Sequence, residues 1–519
     1  MTVLRNCGLA VSGDARGPDC LLVLAVAMMS GCAANSPPLT VPMAAPAQWF
    51  APLPAAMPTS VANASSSLPH NGSLTHLSQW WQQQNDPLLV ELIDAAQVVS
   101  PSIITARSNI LQAQARRDGS AAALLPIVGV AGNASRSKNP PTNGLGASAP
   151  VNLAQLALRT SWEIDLFGQN AAALNAEEER FSGTQARWHE ARVTVAAEVA
   201  SDYSNLRACE KQLLVTAADA NSRLQTSRLT AQLTQAGFAA PATAGLARAS
   251  AAEGNSRMTQ QTTECALIVK ALSAMTALPE PDLRQKLALA LPVPAQQGIA
   301  TISSVPAEVL SQRPDVYRAA RELAAASFDV GSAEAQRYPR LALNGSIAAS
   351  KIGSGGFSQG YNTWSIGPLA LTVPLFDGGA INANINAVKA RYEEAVGKYR
   401  GTVRQAVREV EVALVNLQST TDRQNDTNVA AEGYNASFEG TQARYKAGLA
   451  SLVELEDSRR VLLAAQSGLV SLERERRSAW IALYRALGGG WTTAAPTSLA
   501  MPITARTPAG AAQAALPVR

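Results

Sequence analysis

Glycine, proline and apolar residues recur in this 519-residue chain at one long and nearly constant interval. The interval is 213 residues at first and 211 residues later, as seen in Pro101 and Pro314, Pro126 and Pro339, Gly132 and Gly345, Gly168 and Gly379, Val199 and Val410, Leu206 and Leu417, and Gly237 and Gly448. Two registers that differ by one short gap and persist over about 140 residues indicate a duplicated unit. We therefore expect two copies of one structure, in residues 80–280 and 313–491, joined by a connector at 281–312.

Each copy is predicted to run from a helix through a strand, a loop and a second strand into a very long helix, a turn and a return helix. In one strand, apolar and polar residues alternate with period two, which is typical of a strand with one apolar and one wet face. The apolar set is Leu156, Leu158, Thr160, Trp162, Ile164 and Leu166, and the other set is Gln155, Ala157, Arg159, Ser161, Glu163 and Asp165. The predicted strands are at about 126–137, 154–167, 340–350 and 363–376, and polar loops are expected at 138–153 and 351–362.

Two exceptionally long helices are predicted, at 170–236 and 380–447, because no proline interrupts either segment. A helix of 67 residues spans ~100 Å. The spacing of Val403, Val407, Val410, Leu414 and Leu417 is that of a coiled-coil seam. Gly237 and Gly448 end the long helices, as glycine commonly does, and the return helices follow at 241–278 and 451–488.

The first 31 residues are predicted to be a signal peptide, because residues 21–29 form a short apolar run. Small residues precede Cys32, and this arrangement resembles the bacterial lipobox, in which the cysteine is lipidated and becomes the mature N-terminus. An ordinary signal peptide with a coincidental cysteine is the alternative. Residues 32–79 are rich in Ala, Pro and Ser and are expected to form a tether, and residues 492–519 a flexible tail.

Charge and composition exclude several functions. The net charge of +4 is too small for a dedicated nucleic-acid binder, and three histidines give little support for a metal-dependent or acid–base enzyme. No cofactor site is predicted. The chain has no run of 18 apolar residues, so a transmembrane helix is not expected. Four strands are too few to close a membrane barrel, so either several chains share one barrel or the strands lie outside the membrane.

Four motifs resemble signatures of TolC-like outer-membrane efflux ducts, in their lipoprotein (NodT-type) branch. They are residues 162–168 (WEIDLFG), 312–316 (QRPDV), 374–379 (PLFDGG) and 445–448 (YKAG). The resemblance implies a mainly α fold with a small β-barrel: a homotrimer in which four strands per chain form a 12-stranded barrel and the helices form a periplasmic tube.

The same resemblance implies an exit duct in the cell outer membrane that passes drugs or other small toxic molecules. Its implied partners are outer-membrane lipid, a periplasmic membrane-fusion adaptor and an inner-membrane pump of the resistance-nodulation-division or major-facilitator class. The first alternative is a structural coiled-coil envelope lipoprotein without a pore, and the second is an enzyme.

In such ducts tyrosine and acidic side chains near the turn close the tip. By position from the turn glycine, the resemblance assigns Tyr445, Glu454 and Asp457 as the periplasmic gate candidates. Rings of close carboxylates favour cations. The alternative is that these two acids lie on an ordinary solvated helix face. The first copy departs from the pattern, because Thr243 stands where an acid would be expected.

Cys209 and Cys265 are equally distant in sequence from Gly237. In an antiparallel hairpin that turns at this glycine, the two cysteines lie at the same height on opposite helices. The oxidising periplasm then favours a disulfide, although two buried thiols that point apart are the alternative. The corresponding positions of the second copy are Thr420 and Arg476, so a bridge is expected in one hairpin alone.

Overall fold

The structure is a computed structural model that describes residues 36–42, 49–51, 80–82, 86–138, 149–289, 310 and 313–490. The predicted signal peptide, Cys32 and the C-terminal tail lie outside the described residues. In chain order the helices and strands are α1 Pro87–Val99, α2 Pro101–Ala122, β1 Ile127–Ser137, β2 Val151–Ile164, α3 Gln169–Gln235, α4 Pro241–Thr276, α5 Glu280–Leu289, α6 Pro314–Ala335, β3 Arg340–Ser354, β4 Phe357–Thr372, α7 Ala380–Lys446 and α8 Leu452–Ala486.

The four strands form one antiparallel sheet in the order β1-β2-β3-β4. Residues directly opposite each other in an antiparallel sheet share a face. Leu158 lies opposite Val130 and Ile347, and Ile347 in turn lies opposite Trp364, so these four residues share one apolar face.

The other face of the sheet is polar. It carries Gln155 between Asn133 and Ser350, and Arg159 beside Ser346. Ser346 and Ser365 are joined across β3 and β4 by a hydrogen bond of 2.9 Å. The sheet is therefore two-faced over its whole width, as the alternation in β2 predicts.

The prediction of a loop at 351–362 and a strand at 363–376 is wrong. Strand β3 continues to Ser354 and β4 begins at Phe357, so Gly355 and Gly356 alone form the turn. Both glycines have positive φ, +56° and +88°, which a two-residue hairpin turn of this kind requires. Strand β4 ends at Thr372, and its poor alternation reflects a register shift against β3 near Gly345.

The two long helices begin in the same way. Each follows a glycine in the left-handed conformation, Gly168 before α3 and Gly379 before α7. The carboxylate of Asp165 accepts a hydrogen bond of 2.7 Å from the backbone N–H of Ala171. The carboxylate of Asp377 accepts hydrogen bonds from Gly379 and Ile381, which lower its pKa. These caps explain the aspartates of two of the sequence motifs.

A buried arginine joins three helices in the middle of the molecule. Arg313 donates from Nη1 to the carbonyl of Ala486 at the end of α8, at 2.8 Å. Its guanidinium also holds Asp315, in the first turn of α6, and Glu409 of α7 at 2.8 Å. The motif at 312–316 therefore fixes the start of α6 against the second hairpin.

The described part of the predicted tether lies against the body. Ser327 Oγ donates to the carbonyl of Pro37, and Tyr392 Oη donates to that of Pro38. Further on, the two carboxylate oxygens of Glu411 accept the backbone N–H groups of Phe50 and Ala51, each at 2.7 Å. This segment is therefore fastened to α6 and α7 at several points.

Among the described residues, no single helix has the length and apolar content of a membrane span. The bent pair α1 and α2, with 48° between them, passes that test by length and composition alone.

Candidate functional site

The two helical hairpins, α3–α4 and α7–α8, turn through matching glycine caps. Gly237 and Gly448 have φ of +79° and +75°, which favours glycine. Past each glycine, a backbone N–H bonds back to the last helical turn at 2.8 Å: Phe238 to the carbonyl of Leu233, and Leu449 to that of Arg444. The predicted turn residues therefore occupy equivalent turns.

An apolar side chain is exposed at each turn. Phe238 is 83% exposed and Leu449 is 71% exposed. Single exposed apolar side chains are common on protein surfaces, so the shared position of these two residues at the turns, rather than their exposure, is the feature that the two tips have in common.

Tyr445, one of the three gate candidates, joins the two hairpins. Its hydroxyl lies 2.8 Å from Oγ1 of Thr230 on α3. Its ring also packs against a small apolar cluster of Ala247, Leu452 and Leu455. Tyr445 therefore ties the end of α7 to the first hairpin.

The other two candidates, Glu454 and Asp457, are exposed on the first turns of α8. Glu454 accepts a hydrogen bond from the backbone N–H of Ser451, and Ser451 Oγ accepts one from that of Glu454, which is a capping box. Asp457 pairs with Arg460 at 2.9 Å. Glu454 thus caps the start of α8, a structural role that was not predicted from the sequence.

On the first hairpin, Thr243 is in the first turn of α4. Helix α4 begins with Pro241 and has no side-chain cap, so the capping box of α8 has no counterpart on this hairpin. The two tips therefore share a backbone but differ in their side chains.

A buried group of charged residues lies above the tips, between α3, α4 and α8. Arg223 of α3 donates from Nε to Asp219 at 2.9 Å and from Nη1 to Glu456 of α8 at 2.8 Å. Ser250 of α4 accepts from Arg223 at 2.7 Å and donates to the same oxygen of Glu456 at 2.8 Å. The Arg223 and Asp219 side chains are only 5% and 6% exposed.

A second arginine completes this group, which we call the buried charge cluster (Asp219, Arg223, Ser250, Glu456 and Arg459). Arg459 pairs with Glu456 and donates from Nη2 to Thr226 Oγ1 at 2.9 Å. Burial lowers the pKa of Arg459 from its usual value, and Arg223 adds to the effect.

A glycine on α4 leaves space for the side chain of Arg223. A Cβ atom on Gly254 would lie 2.8 Å from Cδ of Arg223 and 3.2 Å from the backbone of Ala220. The glycine therefore permits α3 and α4 to close around the guanidinium. Sequence reasoning missed these residues, because arginine and glutamate on a long helix have the pattern of a solvated face. The small residue at Gly254 was the available signal.

The first hairpin is also cross-linked. Cys209 and Cys265 are joined by a disulfide, with their Cα atoms 5.6 Å apart, and Gln261 Nε2 donates to Cys209 Sγ at 3.1 Å. In the second hairpin the corresponding residues are Thr420, which is buried, and Arg476, whose pKa is lowered by burial.

Comparison with known proteins places this arrangement among channels. The sequence model of the family "Outer membrane efflux protein" matches residues 92–277 and 305–489. Outer membrane protein OprJ of Pseudomonas aeruginosa is 30% identical over 417 residues, which cover 78% of this chain and 85% of that protein. Nodulation protein T of Rhizobium leguminosarum is 27% identical and is matched over 84% of this chain and 88% of its own length. The crystal structure of the outer membrane protein VceC from Vibrio cholerae superposes with a TM-score of 0.71 at 26% identity, covering 80% of this chain and 99% of that one.

Proposed function

The chain belongs to the outer membrane efflux protein family, and from that premise we propose that three copies form the lipid-anchored exit duct of a tripartite efflux system. The family assignment makes it an outer-membrane efflux channel that extends into the periplasm. The relatives are channels rather than enzymes. The observation that carries the proposal is one two-faced sheet joined to two helical hairpins of great length.

Assembly of three copies would pair the two edge strands of the sheet. Among the described residues, β1 and β4 each pair on one side only, and an unpaired edge cannot lie in lipid. Three sheets joined edge to edge give 12 strands, with Leu158 and Trp364 toward lipid and Arg159 and Gln155 toward a wet lumen. The ~100 Å helices then cross the periplasm.

The lipid anchor fits the same orientation. Ser36 packs on Gly331, and Gly331 also faces Ala172 near the sheet end of α3: a Cβ atom on this glycine would lie 3.7 Å from the Cβ of Ser36 and 3.9 Å from that of Ala172. Cys32 is four residues before Ser36, a distance of at most about 14 Å. A lipid on Cys32 would therefore enter the bilayer at the level where the sheet meets the helices.

The tips are the gate in this proposal. Tyr445 and the buried charge cluster hold the second hairpin against the first, while the disulfide and the cluster fix the first hairpin internally. Opening then requires the α7–α8 hairpin to move outward. Three copies of Glu454 and Asp457 would line the entrance and favour cations.

The partners meet the duct at the same end. The exposed Phe238 and Leu449 suit apolar contacts with a periplasmic adaptor, and an inner-membrane pump of the resistance-nodulation-division or major-facilitator class supplies the energy. Two relatives are named for solvent and toluene efflux pumps, which supports small toxic molecules as the cargo.

Reconstitution into planar bilayers tests this function. We expect discrete ion-conducting events of low resting conductance, and a membrane-extracted complex three times the mass of one chain. A structural coiled-coil lipoprotein would give no conductance at any protein density, and that result would contradict the proposal.

A further inference from the structure

A small cavity lies where α1, α3 and α8 meet, roughly 50 Å along α3 from the turn at Gly237. Its volume is about 40 Å³, which accommodates about three water-sized groups. Most of its lining is apolar. The side chains that shape it include Trp80, Trp81, Asp86, Tyr203, Ser204 and Trp480, all from one chain, so the cavity does not depend on assembly.

Several polar atoms on these side chains are buried and have no hydrogen-bond partner among the described residues. They are Trp81 Nε1, Asp86 Oδ2, Tyr203 Oη, Ser204 Oγ and Trp480 Nε1. The residues that carry them are at most 9% exposed. A polar atom that leaves water without gaining a new hydrogen bond destabilises the folded state, so buried polar atoms are normally satisfied by the protein, by ordered water or by a ligand.

The surroundings of Asp86 and Tyr203 leave their polar atoms available. Oδ1 of Asp86 accepts the backbone N–H of Leu89 at 3.2 Å and caps α1, whereas Oδ2 has no such role. Burial raises the pKa of Tyr203 to about 12, so its phenol keeps its proton at neutral pH. Asp86 and Arg207 lie near this phenol and shift its pKa in opposite directions, but neither has hydrogen-bonding geometry with the phenol oxygen.

The duplicated helices show that burial at this height does not require polar side chains. At the interval of 211 residues, Tyr203 corresponds to Leu414 of α7, and Trp480 corresponds to Val269 of α4. Leu414 and Val269 are 0% and 4% exposed, so aliphatic side chains are buried at the equivalent positions. The hydroxyl and indole groups of the cavity are therefore not explained by packing.

We propose that this cavity binds one small neutral organic molecule that carries a hydroxyl group. A hydroxyl both donates and accepts, so it can donate to Asp86 Oδ2 and accept from the indole N–H of Trp480. The rings of Trp80 and Trp480, with centroids 5.6 Å apart, provide apolar surface for the C–H groups of the same molecule. Water alone would leave this apolar surface without a partner.

The charges around the cavity favour a neutral ligand. Asp86 contributes a carboxylate, Arg477 lines the same cavity, and the guanidinium of Arg207 lies 5.0 Å from the ring centroid of Tyr203. A cation would be repelled by the arginines and an anion by Asp86. The volume limits the ligand to about three or four non-hydrogen atoms, which is the size of a short alcohol or diol.

Ligand-observed fluorine NMR on the full-length protein in detergent tests this site, with fluoroethanol as the probe. A probe molecule bound to the protein tumbles slowly, so its fluorine resonance broadens. We expect broadening that ethylene glycol reverses by competition. Fluoroethylammonium and fluoroacetate, which are charged probes of similar size, should broaden much less.

Two conservative variants locate the binding. Asp86→Asn can keep the oxygen that caps α1 while it replaces the other oxygen with an amide donor, and Tyr203→Phe removes a hydroxyl alone. Each should weaken fluoroethanol binding by roughly two- to tenfold. The matched control is Tyr399→Phe, because Tyr399 is also buried on a long helix but does not line the cavity. It should bind as the wild type does, and circular dichroism melts should show that all three variants are folded.

Three results would overturn the inference. The absence of broadening in the wild type would mean that water alone occupies the cavity. Equal broadening in the wild type, Asp86→Asn and Tyr203→Phe would mean that the probe binds elsewhere on the protein or in the detergent. Stronger broadening of fluoroethylammonium than of fluoroethanol would mean that the site selects a cation. None of these results depends on trimer formation or conductance, so the inference and the proposed function fail separately.

Discussion

The two helical hairpins have nearly the same backbone but are held together differently. Helices α3 and α7 each contain 67 residues, begin after a left-handed glycine and end before another. Each hairpin has a buried arginine, Arg223 on α3 and Arg459 on α8, and the first hairpin also has a disulfide. Both hairpins have a buried apolar seam, with Val199 and Leu206 in the first and Val410 and Leu417 in the second, and the second hairpin also has a capping box at α8.

The two copies therefore share the shape of the backbone, whereas the contacts that hold each hairpin together differ. The disulfide and the hydrogen bond from Arg223 to Ser250 join α3 to α4 within the first hairpin. Among the described residues no disulfide joins α7 to α8, and the ion pair of Arg423 with Glu475 that crosses the second hairpin is half-exposed, so it restrains the two helices weakly. We therefore expect the second hairpin to be the one that moves when the tip opens.

The largest expected effect comes from breaking the buried charge cluster. Glu456→Ala leaves Arg223 and Arg459 without their shared acid, which should cost about 3–5 kcal/mol in the local free energy of opening. Amide hydrogen exchange at 219–230 and 452–462 should accelerate accordingly.

The matched control is Glu439→Ala. Glu439 is exposed on α7 and accepts a hydrogen bond from Asn435 of the same helix. If the two variants exchange at the same rates in these segments, the cluster does not hold the hairpins together.

Removing the disulfide comes next. Cys209→Ala with Cys265→Ala should destabilise the first hairpin by about 2–4 kcal/mol, because the cross-link restricts its unfolded chain. The measurement is the free energy of exchange of α3 and α4 relative to that of α7 and α8. A difference between hairpins that persists unchanged would show that the bond contributes nothing to the asymmetry.

The converse variant adds the bond to the other hairpin. Thr420→Cys with Arg476→Cys places cysteines at the corresponding positions of α7 and α8. We expect a disulfide detectable by non-reducing mass spectrometry, because the register repeats, together with slower exchange in the second hairpin. Two free thiols would mean that the duplicated register fails at this height.

A smaller effect is expected from the link between the hairpins. Tyr445→Phe removes the hydroxyl that bonds Thr230, at a cost of about 0.5–1.5 kcal/mol. The resting open probability in planar bilayers should rise by roughly two- to tenfold. Thr230→Val should have the same effect, and the double variant should add little. Full additivity of the two changes would show that the residues act separately.

The smallest effect is expected at the tip acids. Glu454→Ala would remove both a charge and a helix cap, so Glu454→Gln with Asp457→Asn is the cleaner change, since glutamine also completes a capping box. We expect a weaker preference for K⁺ over Cl⁻, measured as the reversal potential in a salt gradient. An unchanged reversal potential would mean that these acids lie on a solvated face outside the ion path.

Much of the fold was predictable because its signals are local or periodic. The alternation in β2 predicted the two faces of the sheet, and the turn glycines located both tips within a residue. The spacing of Cys209 and Cys265 from Gly237 placed them at one height, because helical rise is constant.

The rest depends on contacts that no local pattern records. Arg223 and Glu456 are 233 residues apart in sequence, and only the packing of α3 against α8 brings them together. The two-residue turn at Gly355 and Gly356 was not predicted for a different reason. A glycine-rich stretch is compatible with both a long loop and a two-residue hairpin turn. Glu454 was assigned by position, and position alone could not show that it caps α8.

The central claim, that the second hairpin moves while the first stays fixed, is tested most directly by distances between copies at the tips. A spin label is attached at Phe238→Cys or at Leu449→Cys, both exposed, and measured by double electron–electron resonance in the wild type and in the Tyr445→Phe background. We expect the distances between labels at position 449 to lengthen and broaden in the Tyr445→Phe protein, while those between labels at position 238 remain the same. Longer Phe238 distances with unchanged Leu449 distances would contradict it.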